Sequence, residues 1–456
     1  MRSERIWGGS GMSFKNTDIG LIPSEWDFDT IGDSLYIKGR IGWKGLKKSE
    51  YVDRSDYRII NGSNIVNNNI DWSGCGYISE ERYEESPEIM LKPNDIVMTK
   101  DGTIGKLAII RSLEQKTTVA SGLFVIRVED YSIDVDYLYY YFSSFYFKEL
   151  IKSRIEGSVI PHLYQKDLVA LKLPLPDLSE QKAISKILRT LDDKIEVNNQ
   201  INKILESMAQ AIFKQWFVDF EFPNEDGEPY KSSGGGMVES ELGMIPKGWE
   251  VKELVDVLET LEAGNRPKGG AGNLTEGIPS IGAENIIGLG KYDYSKEKYV
   301  TEEYFAKMNK GKVNPGDVLL YKDGAQLGRK TMFMNGFPHK KCCINSHVFI
   351  LRTNDMLTQS YLYFWLDQDW VTQSIINLNA NSAQPGINQS KLKTLKILTP
   401  KFNYVEMFDV TIRSLLNKLF ENCIENNALH KTRDALLPKL MSGEIRVPLD
   451  EEGDAS

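Results

Sequence analysis

Basic side chains are concentrated between residues 38 and 48, where five lysines and arginines, three glycines and one tryptophan occur without an acidic residue. Lysine and arginine neutralise phosphates, arginine can also bond to a guanine edge, and glycine lets a backbone approach a ligand closely. The side chains that could bind a nucleic acid here are Lys38, Arg40, Trp43, Lys44, Lys47 and Lys48. A solvated, flexible loop is the alternative interpretation of this stretch by itself.

Two turns of similar sequence could bring further polar groups to such a ligand. The segments 100–106 and 322–329 both open with Lys-Asp-Gly, and the Asp-Gly dipeptide predicts a tight turn because glycine tolerates positive φ. The side chains predicted to reach a base or a phosphate from these turns are Lys100, Thr103, Lys106, Lys322, Gln326 and Arg329. The glycines themselves are interpreted as structural.

A third pair of stretches, residues 157–165 and 381–389, is polar and contains one proline in each copy. Its candidate DNA-contacting residues are His162, Gln165 and Gln389. A plain loop ahead of a strand explains the same composition equally well, so both interpretations stay open.

Motifs for catalysis are missing from the sequence. It has neither a phosphate-cradling GxxxxGK[ST] loop nor the glycine-rich loop and Asn/Asp-Pro-Pro motif of an adenine methyltransferase. Glu180-Gln-Lys182 is superficially like a nuclease carboxylate–lysine pair but has no matching upstream aspartate. Cys342 and Cys343 lie between two histidines, yet neighbouring strand residues point to opposite faces, which disfavours a shared zinc ion. We therefore expect binding rather than catalysis, with no metal and no cofactor in this chain.

The sequence repeats itself. Residues 18–26 match residues 241–249 with an offset of 249 − 26 = 223, and residues 92–102 match residues 313–324 with an offset of 324 − 102 = 222. The basic stretch of the first copy corresponds to residues 264–273 of the second. The basic side chains there, also predicted to contact DNA, are Arg266 and Lys268. Recurrence at the same place in both copies favours the nucleic-acid interpretation over a plain loop.

Each copy changes from strands to one long helix. Short apolar runs such as 123–126 and 348–351 predict buried strands, and residues 137–151 predict a helix, so the fold class is α+β. The predicted divisions are a first recognition domain at 13–176, a central helix at 177–222, a flexible linker at 223–240, a second recognition domain at 241–400 and a distal helix at 401–445.

The two long helices carry apolar stripes that need a partner, and we expect them to pair with each other as an antiparallel coiled coil. The residues predicted to form this contact are Leu188, Leu191, Ile195, Asn198, Asn202, Leu205, Ile412, Leu415, Leu419, Asn422, Asn426 and Leu429. The asparagines recur at matched places, since 198 + 224 = 422. Buried asparagines would select the register of the pair, whereas exposed positions near the helix ends are the alternative.

The composition sets broad limits. The chain has 456 residues, of which 41% are hydrophobic and 26% are charged, which predicts two or more globular domains. The net charge of −9 argues mildly against a nucleic-acid partner, although a local basic patch matters more than the sum. Four cysteines without regular spacing indicate a reduced, cytoplasmic setting. No apolar stretch approaches the ~20 residues of a membrane helix.

The order of these motifs resembles that of the specificity subunits of type I restriction-modification enzymes. The likeness covers residues 13–447 and includes the Ile-Pro-x-x-Trp openings, the Asp-Gly-x-x-Gly turns, Leu175-Pro-Asp-Leu-Ser-Glu-Gln181 ahead of a helix, and Gln215-Trp-Phe-Val-Asp-Phe-Glu-Phe-Pro223. Each motif is weak alone. Their order, repeated twice, is specific.

This resemblance implies a non-catalytic, DNA-binding chain. Its two domains would each read one half of a bipartite double-stranded DNA site, and the paired helices would set the spacer. Two methylation (M) subunits with S-adenosylmethionine would dock on it, and restriction (R) subunits with ATP and Mg²⁺ would join them. The alternatives are a stand-alone methylase-nuclease, which the missing motifs disfavour, and a protein-only scaffold, which would show no salt-dependent DNA affinity.

Overall fold

A computed structural model describes residues 13–40, 45–155, 162–265, 274–379 and 386–448, apart from the side chains of residues 154 and 155. The chain divides into two compact units. The first unit contains the described parts of Met1–Asp193 and Leu429–Ser456, and the second unit is Lys194–Ala428. Each unit therefore takes one globular domain, part of the central helix and part of the distal helix.

The first unit is built from short strands and short helices. Its strands are β1 (Phe14–Thr17), β2 (Gly20–Pro23), β3 (Asp27–Thr30), β4 (Leu35–Gly39), β5 (Tyr57–Ile60), β6 (Ile65–Val66), β7 (Asn69–Ile70), β8 (Gly76–Tyr77), β9 (Ile96–Thr99), β10 (Leu107–Ile109), β11 (Lys116–Val119), β12 (Leu123–Val128) and β13 (Lys172–Leu175). Its helices are α1 (Glu80–Glu84), α2 (Val135–Ser143), α3 (Phe145–Ile155), α4 (Gln165–Val169) and the beginning of α5 (Leu178–Phe217).

The second unit repeats this inventory. Its strands are β14 (Met237–Ser240), β15 (Gly243–Pro246), β16 (Glu250–Glu253), β17 (Leu258–Ala263), β18 (Ile278–Ile281), β19 (Ile286–Gly288), β20 (Lys291–Tyr292), β21 (Tyr299–Val300), β22 (Val318–Tyr321), β23 (Lys330–Met332), β24 (Cys343–Ile344), β25 (Val348–Thr353) and β26 (Lys396–Thr399). Its helices, besides the rest of α5, are α6 (Glu302–Lys307), α7 (Gln359–Leu366), α8 (Asp369–Asn377), α9 (Gln389–Lys393) and most of α10 (Phe402–Met441).

The main sheet has the same strand order in both units. It is β10-β9-β12-β4 in the first and β23-β22-β25-β17 in the second, antiparallel throughout. A three-stranded sheet, β11-β5-β8 or β24-β18-β21, accompanies it and contains one parallel pair. The central strands β9 and β22 are almost wholly buried, because both of their faces are covered. Antiparallel sheets with separate helices confirm the predicted α+β class.

A buried ion pair recurs beside each main sheet. Arg127 on β12 contacts Asp95 at 2.7 Å, and Arg352 on β25 contacts Asp317 at 2.6 Å. Each carboxylate also accepts a backbone N–H from the turn before its strand, from Lys92 in the first unit at 2.7 Å. The matching segments 92–102 and 313–324 are therefore alike because they build the same turn and the same ion pair.

The predicted helix at 137–151 divides into α2 and α3, because Ser144 between them is extended, with φ −72° and ψ 162°. Ser144 is fully buried, and its Oγ accepts the backbone N–H of Phe147 at 3.5 Å. The single-helix prediction was wrong at this point. An extended serine whose hydroxyl bonds to the chain a few residues on is a common helix start.

The long helices α5 and α10 have 40 residues each, which corresponds to a length of ~60 Å. Asp177 caps α5 by accepting the N–H of Glu180 at 2.8 Å. Helix α10 contains Pro438 and ends at Met441, two residues before Gly443, whose φ is 67°.

The predicted pairing of the two helices is confirmed inside each unit. In the second unit, Asn198 donates to Asn426 and Asn422 donates to Asn202, both at 2.9 Å. The residue numbers rise along one helix as they fall along the other, so the segments are antiparallel. In the first unit, Arg433 on α10 contacts Asp192 on α5 at 2.7 Å.

Residues 223–240 are mostly exposed, as their composition predicts, but the segment forms turns and makes aromatic contacts. The ring of Phe222 stacks on Tyr230 at 4.6 Å and on Trp249 at 4.8 Å, and the Tyr230 hydroxyl donates to the carbonyl of Gly236. The segment ends as β14, which pairs with β15 just as β1 pairs with β2. Glycine and serine serve here as turn residues, because aromatic neighbours in the second unit hold the segment in place.

Candidate nucleic-acid interface

Three loops meet at one end of the main sheet in the first unit. The backbone N–H of Lys100 donates to the carbonyl of Gly122 at 2.9 Å, and Leu163 donates to the carbonyl of Lys100 at 3.0 Å. Asp101 and His162 form an isolated antiparallel bridge. The topology therefore joins the Asp-Gly turn after β9 to the loop before β12 and to the segment before α4.

The second unit builds the same junction. Lys322 donates its backbone N–H to the carbonyl of His347 at 3.1 Å, and Ile387 donates to the carbonyl of Lys322 at 2.8 Å. Asp323 and Gly386 form the bridge that corresponds to the one in the first unit. Two of the three sequence candidates in each copy, the Asp-Gly turn and the polar stretch before the short helix, are thus brought together. We call this junction the loop cluster of each domain.

The turns of the two loop clusters differ in length. Gly102 and Gly105 have φ of 67° and 84°, and Gly324 and Gly328 have φ of 82° and 89°. Glycine is favoured at all four places because side chains destabilise positive φ. The spacing between the two glycines is three residues in the first unit and four in the second, so the second turn has one more residue at its tip.

A lysine lies against an aromatic ring in each loop cluster. Lys100 Nζ is 5.1 Å from the centroid of Phe124, and Lys322 Nζ is 5.3 Å from that of Phe349. Lys100 Nζ also lies 3.0 Å from the place of a Cβ on Gly39, so the end of β4 borders the cluster. The positive charge is held at a defined position but remains partly open to solvent.

The other predicted side chains are open to water to different degrees. Those that are exposed are Lys38, Lys47, Lys48, Thr103, Gln165, Gln326 and Arg329. Those that are half-buried are Lys100, Lys106, His162, Lys322 and Gln389. Gln165 and Gln389 occupy the same place in the two units, the first residue of α4 and of α9.

Each loop cluster contains an imidazole–carboxylate pair. His162 Nδ1 contacts Oδ1 of Asp101, and His347 Nδ1 lies 2.8 Å from Oδ1 of Asp323. The aspartates belong to the two Asp-Gly turns. The histidine side chains are 32% and 38% exposed, respectively.

Arg40 is removed from the predicted DNA-contacting set. Its residue exposure is 2%, and its guanidinium donates to the carbonyl of Val119 at 3.1 Å and to the hydroxyls of Ser86 and Thr118. Burial lowers the pKa of Arg40. The guanidinium holds β11 and Ser86 in place and does not face a ligand.

Cys342 and Cys343 lie in the interior of the second unit. Burial raises the pKa of Cys342 to about 12 and that of Cys343 to about 11, so both are protonated thiols at neutral pH. Glu180 is also buried, and it is bound to Arg446 at 2.5 Å. Among the residues that the structure describes, His, Cys, Asp and Glu nowhere form a group of three suited to a metal ion.

The family comparison decides the relationship. The model of the Type I restriction modification DNA specificity domain matches the chain twice, at residues 23–207 and 246–434. The chain belongs to this family. Each match contains one loop cluster and most of one long helix.

Named members of this specificity family align along most of the chain. The MjaIX specificity subunit of Methanocaldococcus jannaschii is 29% identical over 441 residues, which cover 95% of this chain and 96% of that protein. The MjaVIII specificity subunit of the same organism is 23% identical and covers 95% and 96%. Both are named as type I restriction enzyme specificity subunits.

A solved structure has the same fold. The type I restriction-modification S subunit from M. genitalium superimposes with a TM-score of 0.55 at 15% identity, covering 95% of this chain and 98% of that one. Within the described ranges, none of the helices of this specificity-family chain combines the length and apolar composition that spanning a bilayer requires.

Four predicted contact residues lie outside the described ranges. They are Trp43, Lys44, Arg266 and Lys268. They follow β4 and β17, the equivalent edge strands of the two main sheets. The DNA role assigned to them stays a prediction.

The predicted helix-contact residues divide by burial. Those that are buried are Leu188, Ile195, Asn198, Ile412, Leu419, Asn422 and Asn426. Those that are half-buried are Leu191, Asn202, Leu205, Leu415 and Leu429. On α10, Leu416 and Leu437 are buried as well, because this helix also packs on the globular domains, whose cores include residues beside the predicted stripe.

Sequence reasoning missed His347 and the two turn aspartates as site residues. The repeat pairs Asp101 with Asp323, but it pairs no histidine with another, because the two histidines come from different segments. Sequence position offers no signal for His347, which lies 347 − 329 = 18 residues beyond the nearest predicted contact segment.

Proposed function

We propose that this chain is the DNA-recognition subunit of a type I restriction-modification complex and is itself non-catalytic. Each domain reads one half of a bipartite double-stranded DNA site through its loop cluster. The complex then methylates adenine in its site and restricts unmodified DNA, in the cytoplasm. S-adenosylmethionine belongs to two methylation subunits, and ATP and Mg²⁺ belong to the restriction subunits.

One observation carries this proposal: the same loop cluster occurs in both domains with different side chains at its tip. Thr103 and Lys106 in the first domain are replaced by Gln326 and Arg329 in the second, on a turn with one more residue. A shared scaffold with variable tips suits two modules that read different base sequences. Lysines fixed on aromatic rings beside the tips supply phosphate contacts in both.

We propose further that α5 and α10 set the spacer between the half-sites and dock the methylation subunits. Contacts between the two helices inside each unit, Asp192–Arg433 in the first and Asn198–Asn426 in the second, support this proposal. On α5 the apolar residues Val197, Ile204 and Met208 are exposed although they recur at helical spacing. An exposed apolar stripe of this kind is typical of a protein-docking face.

Methylome sequencing tests the proposal. Cells that express this chain with a compatible methylation subunit should carry a two-part adenine motif that disappears when the chain is deleted. Replacing residues 325–327 at the second turn tip with the shorter tip of the first should change one half of the motif and leave the other half unchanged. An unchanged motif, or methylation without any two-part motif, would contradict the proposal.

A further inference from the structure

The imidazole–carboxylate pairs are alike in geometry but not in origin. Asp101 and Asp323 are equivalent in the repeat, with an offset of 222. His162 follows its aspartate by 61 residues, whereas His347 follows its own by 24. In the second domain the backbone place of His162 is occupied by Gly386, which forms the same bridge without a side chain.

Holding the loops together does not explain why both domains have a histidine–aspartate pair whose histidine comes from a different segment in each. The backbone bonds Leu163 to Lys100 and Ile387 to Lys322 hold both junctions together without an imidazole. Both domains nevertheless place a partly exposed imidazole on the carboxylate of the Asp-Gly turn. What the domains share at this point is therefore the side-chain chemistry and its position, not the segment that supplies it.

The pairing fixes how each ring is presented. A carboxylate only accepts hydrogen bonds, so the contacting Nδ1 carries the proton and Nε2 stands on the opposite edge of the ring. The ring of Tyr164 meets that of His162 edge to face at 4.6 Å, which restricts its rotation further. Around His347 the nearby charges include those of Glu284 and Lys322, besides its own aspartate.

We infer that His162 and His347 each contact DNA through the Nε2 edge, one in each half-site, with Asp101 and Asp323 as positioning residues. The inference rests on the proposed function and adds to it the group that the loop clusters have in common. The partner on DNA is a hydrogen-bonding atom next to the turn tip, either a phosphate oxygen or a base edge.

Asparagine and glutamine substitutions separate the two ring nitrogens. In His162→Asn the amide nitrogen stands near Nδ1 and can keep the bond to Asp101, but the outer nitrogen is lost. In His162→Gln the amide reaches the place of Nε2 and the bond to the aspartate is lost. The variants His347→Asn and His347→Gln make the same comparison in the second domain.

Binding is measured with the full chain by fluorescence anisotropy, on the duplex that the wild-type chain enriches from a random pool. We expect His162→Asn to lower affinity about tenfold, with unchanged thermal unfolding, and His162→Gln to lower it less. Asp101→Ala should also lower affinity, and Asp101→Asn, which can still accept from Nδ1, should restore it. Each histidine variant should act only on duplexes that retain its own half-site.

The outcomes are distinct. A loss confined to the selected half-site identifies a base contact, and an equal loss on all sequences with a shallower salt dependence identifies a phosphate contact. If both asparagine variants bind DNA fully and only the glutamine variants lose affinity, the histidines serve only to hold the turn aspartates. That result would overturn this inference and leave the proposed function standing. If the wild-type chain enriches no duplex, the proposed function fails and the inference with it.

Discussion

Asn198 donates its side-chain amide to Oδ1 of Asn426 at 2.9 Å, and both side chains are buried. Asn422 makes the same contact with Asn202 at 2.9 Å. Adding the repeat offset to the α5 residues gives 198 + 224 = 422 and 202 + 224 = 426, so the two contacts are one contact with the copies exchanged. The alternative that these asparagines are exposed near helix ends was wrong.

The amide contact predicts a coupled effect on stability. Asn198→Ala should lower the free energy of unfolding by about 1–3 kcal/mol, because Oδ1 of the buried Asn426 loses its donor. Leucine at both 198 and 426 should cost less than the sum of the two alanine changes, since their other partners, Glu425 and Asn199, are exposed and can bond to water instead. Denaturant unfolding of the full chain measures both, with the exposed Gln200→Ala as control. Additive losses would contradict a direct contact.

The cap of α5 predicts a pH dependence. The hydroxyl of Ser179, followed by the backbone N–H of Glu180, lowers the pKa of Asp177 from its usual 3.8. A lowered folded pKa means that the cap stabilises the fold above pH ~4 and that this contribution is lost as the pH falls below that value.

Asp177→Ala should therefore cost about 1 kcal/mol at neutral pH and progressively less in acid. Asp177→Asn keeps a cap without a charge and should remove the pH dependence with a smaller loss. The comparison uses unfolding curves at several pH values, with exposed Asp193→Ala as the matched change elsewhere on α5. A loss that is independent of pH would show that the carboxylate is not the capping group.

Substitution of Arg446, near the end of the described chain, should have a large effect on the stability of the first unit. Arg446 binds Glu180 at 2.5 and 2.8 Å and also contacts Glu25, while the Trp26 indole donates to Glu180 at 3.0 Å. Arg446→Ala leaves the buried Glu180 without its countercharge and should destabilise the first unit by about 3 kcal/mol. Glu180→Gln in the same chain should recover part of the loss. A comparable effect from the surface change Lys252→Ala would refute this explanation.

The buried Arg40 and the exposed Lys47 and Lys48 should respond differently to substitution, Arg40 in stability and the two lysines in DNA binding. Arg40→Ala should lower the unfolding free energy by about 1–3 kcal/mol, because the carbonyl of Val119 and two hydroxyls lose a buried donor. Lys47 and Lys48 changed together to Glu should leave unfolding unchanged and weaken DNA binding, with a salt slope reduced by about one for each lost phosphate contact. Paired thermal melts and salt titrations decide this. DNA binding unaffected by the lysine changes would exclude this stretch from the interface.

Local sequence patterns predict much of the architecture. The offset of the matching segments predicts two copies, short apolar runs predict β12 and β25, and both Asp-Gly dipeptides form the turns that they predict. The helix pair and its asparagine contacts follow from spacing along each helix. These features depend on neighbours a few residues away, so a single stretch of sequence contains the information for each.

Other features could be recognised only in the folded chain. Arg40 belongs to a basic stretch in sequence and to the interior in space, because β11 and Ser86 supply its acceptors. His347 joins Asp323 without any counterpart in the repeat. Segment 223–240 is polar, but it is held against the second unit because the ring of Phe222 stacks on both Tyr230 and Trp249.

The sequence by itself determined the repeat, the fold class, the paired helices and the family, because periodicity and turn chemistry are properties of adjacent residues. Only the tertiary structure decided which basic groups face solvent, which histidine meets each aspartate and how the long helices divide between the units. Those outcomes depend on burial and hydrogen-bond partners supplied by segments far away in the chain, and a pattern of neighbours does not specify them.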